Sequence, residues 1–148
     1  MKKEIWFDMD GTLANLYEVE NWLESLRNEE VRPYAEAAVM HNFSLLARLL
    51  NRLQAEGWRL GIISWTSKGG SEPYNLEVEV AKRVWLAIHL PSVEWDDIRI
   101  VRYGTPKYQI CGGGILFDDE EHNRDEWEDE AYEPCDMIEV LKAILKGE

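Results

Sequence analysis

The sequence predicts an α/β fold: a three-layer α/β/α sandwich on a parallel, five-stranded, Rossmann-like sheet, with a small helical cap insert at about residues 14–42. Three observations lead there. Short apolar strand-like runs alternate with amphipathic helical stretches, which implies parallel strands joined by right-handed crossovers. At 148 residues the chain suits one domain, 1–148, large enough to bury a proper core. Chemistry-bearing residues recur at the ends of the strand-like runs, where open α/β sheets place their ligands.

The elements follow in order. Residues 4–8 (EIWFD) read as a buried strand ending on a carboxylate, with Gly11 permitting a sharp turn just beyond. Segment 14–42 breaks the alternation. It carries Leu16, Val19, Trp22, Leu23 and Leu26 as an amphipathic stretch ending near Pro33, which suits a helical insert over the carboxyl edge of the sheet or an extended first crossover. Leu46, Leu49, Leu50 and Leu53 share one helical face, and Gly57 stops that helix. Residues 58–64 (WRLGIIS) are the second strand. Tyr74, Val78, Ala81, Trp85 and Ile88 mark a helix that ends before Pro91. Residues 98–103 (IRIVRY) and 114–118 (GILFD) are the third and fourth strands, and 131–133 a short fifth. Met137, Val140, Leu141, Ile144 and Leu145 mark the last helix, with Asp136 as N-cap and Glu139 at the capping-box position.

Composition narrows the partners. Hydrophobic residues make up 45% and charged residues 30%, the balance of a folded chain rather than a disordered one. With 29 acidic against 16 basic side chains, the net charge of −13 disfavours nucleic-acid backbones and anionic membranes. Cys111 and Cys135 form no C-x-x-C pair, and two thiols so far apart fit a reducing, cytoplasmic setting. Three apolar residues before Asp8 make no signal-peptide core, and no apolar run is long enough to span a bilayer.

Residues 8–12 read Asp-Met-Asp-Gly-Thr. Two carboxylates at a strand end suit a nucleophile and a proton-transfer group held near a cation that suppresses their repulsion. The same residues also suit a solvated Asp-Gly turn. Ser64 places a hydroxyl at the end of the second strand, with Thr66 and Ser67 close behind; it reads as a phosphate ligand or as a turn residue. Gly104-Thr105-Pro106-Lys107 sets a cation in a rigid turn after the third strand, able to neutralise a phosphoryl group. Asp118 and Asp119 end the fourth strand, and hard Mg²⁺ takes such carboxylate oxygens. They also open an acidic run, nine of residues 118–130 being Asp or Glu, most of it solvated surface. Gly112-Gly113-Gly114 reads as lead-in to the fourth strand, and His122 as a solvated loop histidine.

In this order the motifs closely resemble those of the haloacid dehalogenase-like (HAD) superfamily of Mg²⁺-dependent phosphohydrolases. Asp8–Thr12 matches its D-x-D-G-T motif in full, Ser64 its second motif, Lys107 its third, and Asp118-Asp119 the D-D form of its fourth. The resemblance implies that Asp8 is a nucleophile forming an aspartyl-phosphate and Asp10 the general acid/base. Ser64 and Lys107 would hold phosphoryl oxygens. Asp8, the Asp10 carbonyl and Asp119 would bind Mg²⁺, with Asp118 supporting. Thr66 or Ser67 competes with Ser64, and Lys82 with Lys107; a lysine within a helix more often faces solvent. The insert is shorter than the helical caps of the family's phosphomutases, a look nearest to small nucleotidase-like and phage-type members. The implied activity is hydrolysis of a small phosphomonoester. Trp22 and Trp65 stand where a substrate ring, such as a nucleotide base, could stack. A polynucleotide end phosphatase and a catalytically idle HAD-fold binding module are the alternatives.

Overall fold

A computed structural model describes residues 2–147. Its frame is a five-stranded parallel sheet of β1 (Glu4–Phe7), β4 (Arg59–Trp65), β5 (Asp97–Val101), β6 (Ile115–Phe117) and β7 (Ala131–Tyr132), in the order β5-β4-β1-β6-β7. The expected α/β sandwich is present, with strand ends shifted by one or two residues. The third strand stops at Val101 because Arg102 leaves the sheet: its guanidinium pairs with Glu72, and its carbonyl accepts from the backbone N–H and hydroxyl of Thr105.

Central β1 is paired on both edges and buried on both faces, so its side chains alternate between two cores. Ile5 and Phe7 join Leu60, Ile62, Ile115 and Phe117 on one face, covered by α3 (Phe43–Ala55), α4 (Glu72–His89) and α7 (Met137–Leu145). Trp6 points the other way, with Ile63 and Leu116, beneath α5 (Lys107–Cys111) and Trp127. Gly61 lies opposite Trp6 in the register; a Cβ there would stand 2.5 Å from the indole, so glycine makes room for the ring.

The helices follow their apolar stripes. Leu46, Leu49, Leu50 and Leu53 of α3 are all buried, and Asn42 caps the helix by accepting the Leu45 N–H. In α4 Tyr74, Val78 and Trp85 are buried, but Ile88 is exposed: the inward stripe runs 74, 78, 82, 85 and 86, with Lys82 among the apolar side chains. Asp136 precedes α7 without a side-chain cap, because the chain enters from a 3₁₀ turn (Pro134–Asp136) with Asp136 already in helical φ and ψ. Short α6 (Glu121–Glu126) links β6 to β7.

Segment 14–42 holds two short helices, α1 (Trp22–Arg27) and α2 (Arg32–Glu36). They are bracketed by an antiparallel pair, β2 (Ala14–Asn15) with β3 (Ala38–Val39). The segment docks on α4 through Leu16, Tyr34, Tyr74 and Val78. Glu29, at φ +57°, accepts both the backbone N–H and the hydroxyl of Ser71, each at 2.8 Å, at the start of α4. Among the described residues no helix is long and apolar enough to cross a membrane.

Candidate functional site

Asp8 follows β1 directly, and its N–H still bonds the Phe117 carbonyl of β6. The chain then folds tightly: the Met9 carbonyl accepts from the N–H groups of Thr12, Leu13 and Ala14. Gly11 at φ +78° is required twice over. The left-handed backbone favours glycine, and a Cβ would strike the Asp119 carboxylate and come within 2.9 Å of Tyr17.

Around Asp8 the strand ends converge. Lys107, buried at the start of α5, donates from Nζ to Asp8 Oδ1 at 3.0 Å and to Asp118 Oδ2 at 2.6 Å. Thr12 Oγ1 lies 3.2 Å from Asp8 Oδ2 and 3.3 Å from Asp119 Oδ1, and accepts the Asp119 N–H. Asp118 also accepts the Glu120 N–H and the Asn123 side-chain amide, so protein donors engage both of its oxygens. Among the described residues Asp119 has no cationic partner. Asp8, Asp118 and Asp119 each offer an oxygen within 4.8 Å of the others.

The electrostatics follow from that crowding. Burial, then repulsion by Asp8, raises Asp119 to about 8. The same causes raise Asp118 to about 6, held back by Lys107. Burial opposes the charge on Lys107, yet Asp8 and Asp118 outweigh it and hold the ammonium protonated beyond its usual range. Asp10 is also raised, by burial first, against the pull of Lys82.

The lysine that helix statistics send to solvent is in the site. Lys82, 1% exposed, donates to Asp10 Oδ2 at 2.8 Å, Ser64 Oγ at 2.7 Å and the Trp65 carbonyl at 2.7 Å. Its three N–H donors are used, tying Asp10 to the end of β4. Two lysines therefore serve the site, Lys107 at Asp8 and Lys82 at Asp10. The second was legible as a lysine spaced in register with the apolar stripe of α4. Asn123 carries no such signal; it is one polar residue inside an acidic run.

Ser64 is fully buried, engaged by Lys82, and does not line the cavity above Asp8. Thr66 and Ser67 do line it, and the Thr66 hydroxyl oxygen is buried without a hydrogen-bond partner among the described residues. The cavity measures about 410 Å³. Asp8 and Asp10 line it from the turn after β1, Lys107 from the start of α5, Leu16, Tyr17, Trp22 and Arg27 from segment 14–42, Trp65 from the end of β4, and Lys68 and Tyr103 from the loops after β4 and β5. Of its five aromatics, Tyr34 stands outside two ring pairs, Trp65 with Tyr103 at 4.8 Å and Tyr17 with Trp22 at 4.9 Å between ring centres. His122 stands apart, exposed beside Glu126, and Gly112–Gly114 lie at the opposite end of β6.

No protein-family model matches the sequence, and no curated protein matches it. Solved structures do. The D,D-heptose 1,7-bisphosphate phosphatase of Burkholderia thailandensis superposes with a TM-score of 0.57 at 13% identity, over 97% of this chain and 99% of that one. The D,D-heptose 1,7-bisphosphate phosphatase of B. bronchiseptica, solved with magnesium and phosphate, gives 0.60 at 12% identity over 100% of both chains. At such identities the likeness establishes a shared fold along the full length.

Proposed function

We propose that the chain is a HAD-type, Mg²⁺-dependent phosphomonoesterase working through an aspartyl-phosphate on Asp8. The observation that carries this reading is the carboxylate of Asp8 between Lys107, Asp119 and the cavity, at the carboxyl edge of the central strand. The fold shared with two phosphatases, one crystallised with magnesium and phosphate, supports it.

The donor set suits Mg²⁺: hard oxygens only, on crowded carboxylates that burial and the neighbouring Asp8 raise above the usual range. Asp8, Asp119 and the Asp10 carbonyl would hold the ion, with Asp118, already committed to Lys107 and Asn123, fixing the neighbourhood. When bound, the ion supplies charge neutralisation for the carboxylates and the incoming phosphoryl group.

The residues then divide the work. An Asp8 oxygen attacks phosphorus in line, the bond to the leaving oxygen breaks, and Asp10 gives that oxygen its proton. A water next attacks phosphorus, Asp10 takes its proton, and phosphate departs with Asp8 restored. Lys107 balances charge on the phosphoryl oxygens while orienting Asp8. Of the candidate hydroxyls, Thr66 is the better phosphoryl ligand because the residue lines the cavity and its buried hydroxyl oxygen has no partner among the described residues; Ser64 instead anchors Lys82.

Segment 14–42 acts as the cap. Its Tyr17–Trp22 pair faces the cavity that Trp65 and Tyr103 also line, which favours a small ring-bearing phosphomonoester in the manner of nucleotidase-like members. The structural neighbours act on a sugar bisphosphate, so sugar phosphates belong in the same screen. Hydrolysis of an aryl phosphate with Mg²⁺, compared between the wild type and Asp8→Asn, tests the reading. The wild type should turn over, and the variant should lose many orders of magnitude while staying folded. An inactive wild type would leave the idle binding module as the better account.

A further inference from the structure

Two cations line the cavity that the phosphoryl chemistry does not use. The acids lie at its floor: Asp8 and Asp10, with Glu120 beside them, its N–H bonded to Asp118 Oδ1. Lys107 belongs to that floor. Arg27, the last residue of α1, and Lys68, just beyond Thr66 and Ser67, are exposed and line the mouth. A row of contacts joins floor to mouth. Lys107 Nζ lies 5.2 Å from the centre of a Trp65 ring, Trp65 and Tyr103 are 4.8 Å apart, and Lys68 Nζ stands 5.8 Å over Tyr103. Exposure rises along the same series, from buried Lys107 through half-buried Trp65 to exposed Tyr103 and Lys68. An aromatic wall thus runs outward from Asp8 with a cation at each end. The geometry points to a substrate with a second anionic group: a flat ring along Trp65 and Tyr103, its phosphate ester at Asp8, and a carboxylate or phosphoryl substituent at the far edge held by Lys68 and Arg27. This specifies the substrate class of the phosphatase reading and rests on it.

Three features support that ligand. Among the described residues Arg27 and Lys68 make no ion pair, whereas Arg32 of α2 and Arg102 after β5 are taken by Glu36 and Glu72. Their donors are available: an ammonium over a ring face still directs N–H groups outward, and a guanidinium grips a carboxylate or phosphoryl group with two parallel bonds. The cavity, at about 410 Å³, falls within the range of small-molecule sites and has room beyond a bare phosphoryl group. On a chain of charge −13, cations at the mouth also lower the local barrier that an anionic substrate meets on approach.

Three aryl phosphates differing only at the para position provide the test: para-carbamoylphenyl, para-carboxyphenyl and para-phosphonophenyl phosphate, the last with a carbon–phosphorus bond that a phosphomonoesterase leaves intact. Calorimetric binding to the unreactive Asp8→Asn variant with Mg²⁺ should favour the two acids over the neutral amide by roughly tenfold, the scale of a charge-assisted contact at an accessible site. The tighter of the two acids identifies the second group as carboxylate or phosphoryl. Adding Lys68→Met or Arg27→Met, both at exposed positions, should keep the circular dichroism and shrink that ratio. Both together should bring it to about one, as should high salt. Equal binding of acids and amide, or a preference that survives loss of both cations, overturns the inference. Wild-type turnover of the same compounds is a separate readout. A binding preference with no hydrolysis of any of the three overturns the phosphatase reading and leaves the second anion site standing.

Discussion

The site's chemistry rests on how single buried charges are balanced. Lys82 carries one of the two balances, and Lys82→Met strands the Asp10 carboxylate beside Asp8. Removing one partner of a buried pair typically costs on the order of 3–5 kcal/mol, which a chemical-denaturation midpoint would register. Asp10→Asn should slow turnover by roughly 10²–10⁴-fold for alkyl phosphates and less for aryl phosphates, whose leaving oxygen needs less protonation. Equal losses for both substrate types would make Asp10 a structural residue. At the end of β4, Thr66→Val should weaken binding of inorganic phosphate, and Ser64→Ala should act through stability instead, because its hydroxyl meets Lys82 rather than the cavity. The clustering of these residues was legible wherever a strand end announced it: Asp8, Asp10, Lys107, Asp118 and Asp119 stand together as their positions implied. Ser64 lay in the right place by sequence, but its fully buried hydroxyl is taken by Lys82 of α4.

At the scale of elements, β1, β4 and β6 were readable because buried parallel strands are continuous apolar runs. Short α1 lay within the amphipathic stretch read as a helical insert, but α2, α5 and α6 were not legible, since five or six residues span less than two helical turns. The outward face of α4 was misread at Ile88 for a related reason: aliphatic residues line two stripes of that helix, and periodicity alone cannot say which is covered. Segment 14–42 is held to α4 by the paired bonds of Glu29 to Ser71, and the Ser71 bonds hold the Glu29 carboxyl below its usual range. Glu29→Gln should loosen this latch and raise KM by less than about tenfold with kcat little changed, because the segment supplies cavity wall rather than reacting groups. A fall in kcat of similar size would place the segment's influence on the chemical step.

Across the whole molecule the dominant fact is a net charge of −13, and four of its carboxylates, Asp8, Asp10, Asp118 and Asp119, are crowded at the strand ends. Folding raises the Asp119 carboxyl to about 8, so its proton binds more tightly in the folded state than in the unfolded. That contribution to stability is complete below the ordinary carboxylate value of 3.8 and is lost as the pH rises to about 8. Thermal unfolding in chelator should therefore show Tm falling between about pH 5 and pH 8. Mg²⁺ should restore it, most strongly at the upper end, where the carboxylate is free to bind. Asp119→Asn should flatten the pH slope and erase the Mg²⁺ response; a slope and response unchanged in that variant would move the ion elsewhere.

The central claim is that Asp8 itself becomes phosphorylated. Enzyme mixed with an aryl phosphate and Mg²⁺, quenched in acid during turnover and digested, can be read by mass spectrometry at the peptide carrying residues 8–12. A phosphoryl adduct on Asp8, absent from Asp8→Asn along with turnover, is the predicted result. Sustained turnover with no adduct there, or with Asp8→Asn still active, would contradict the account.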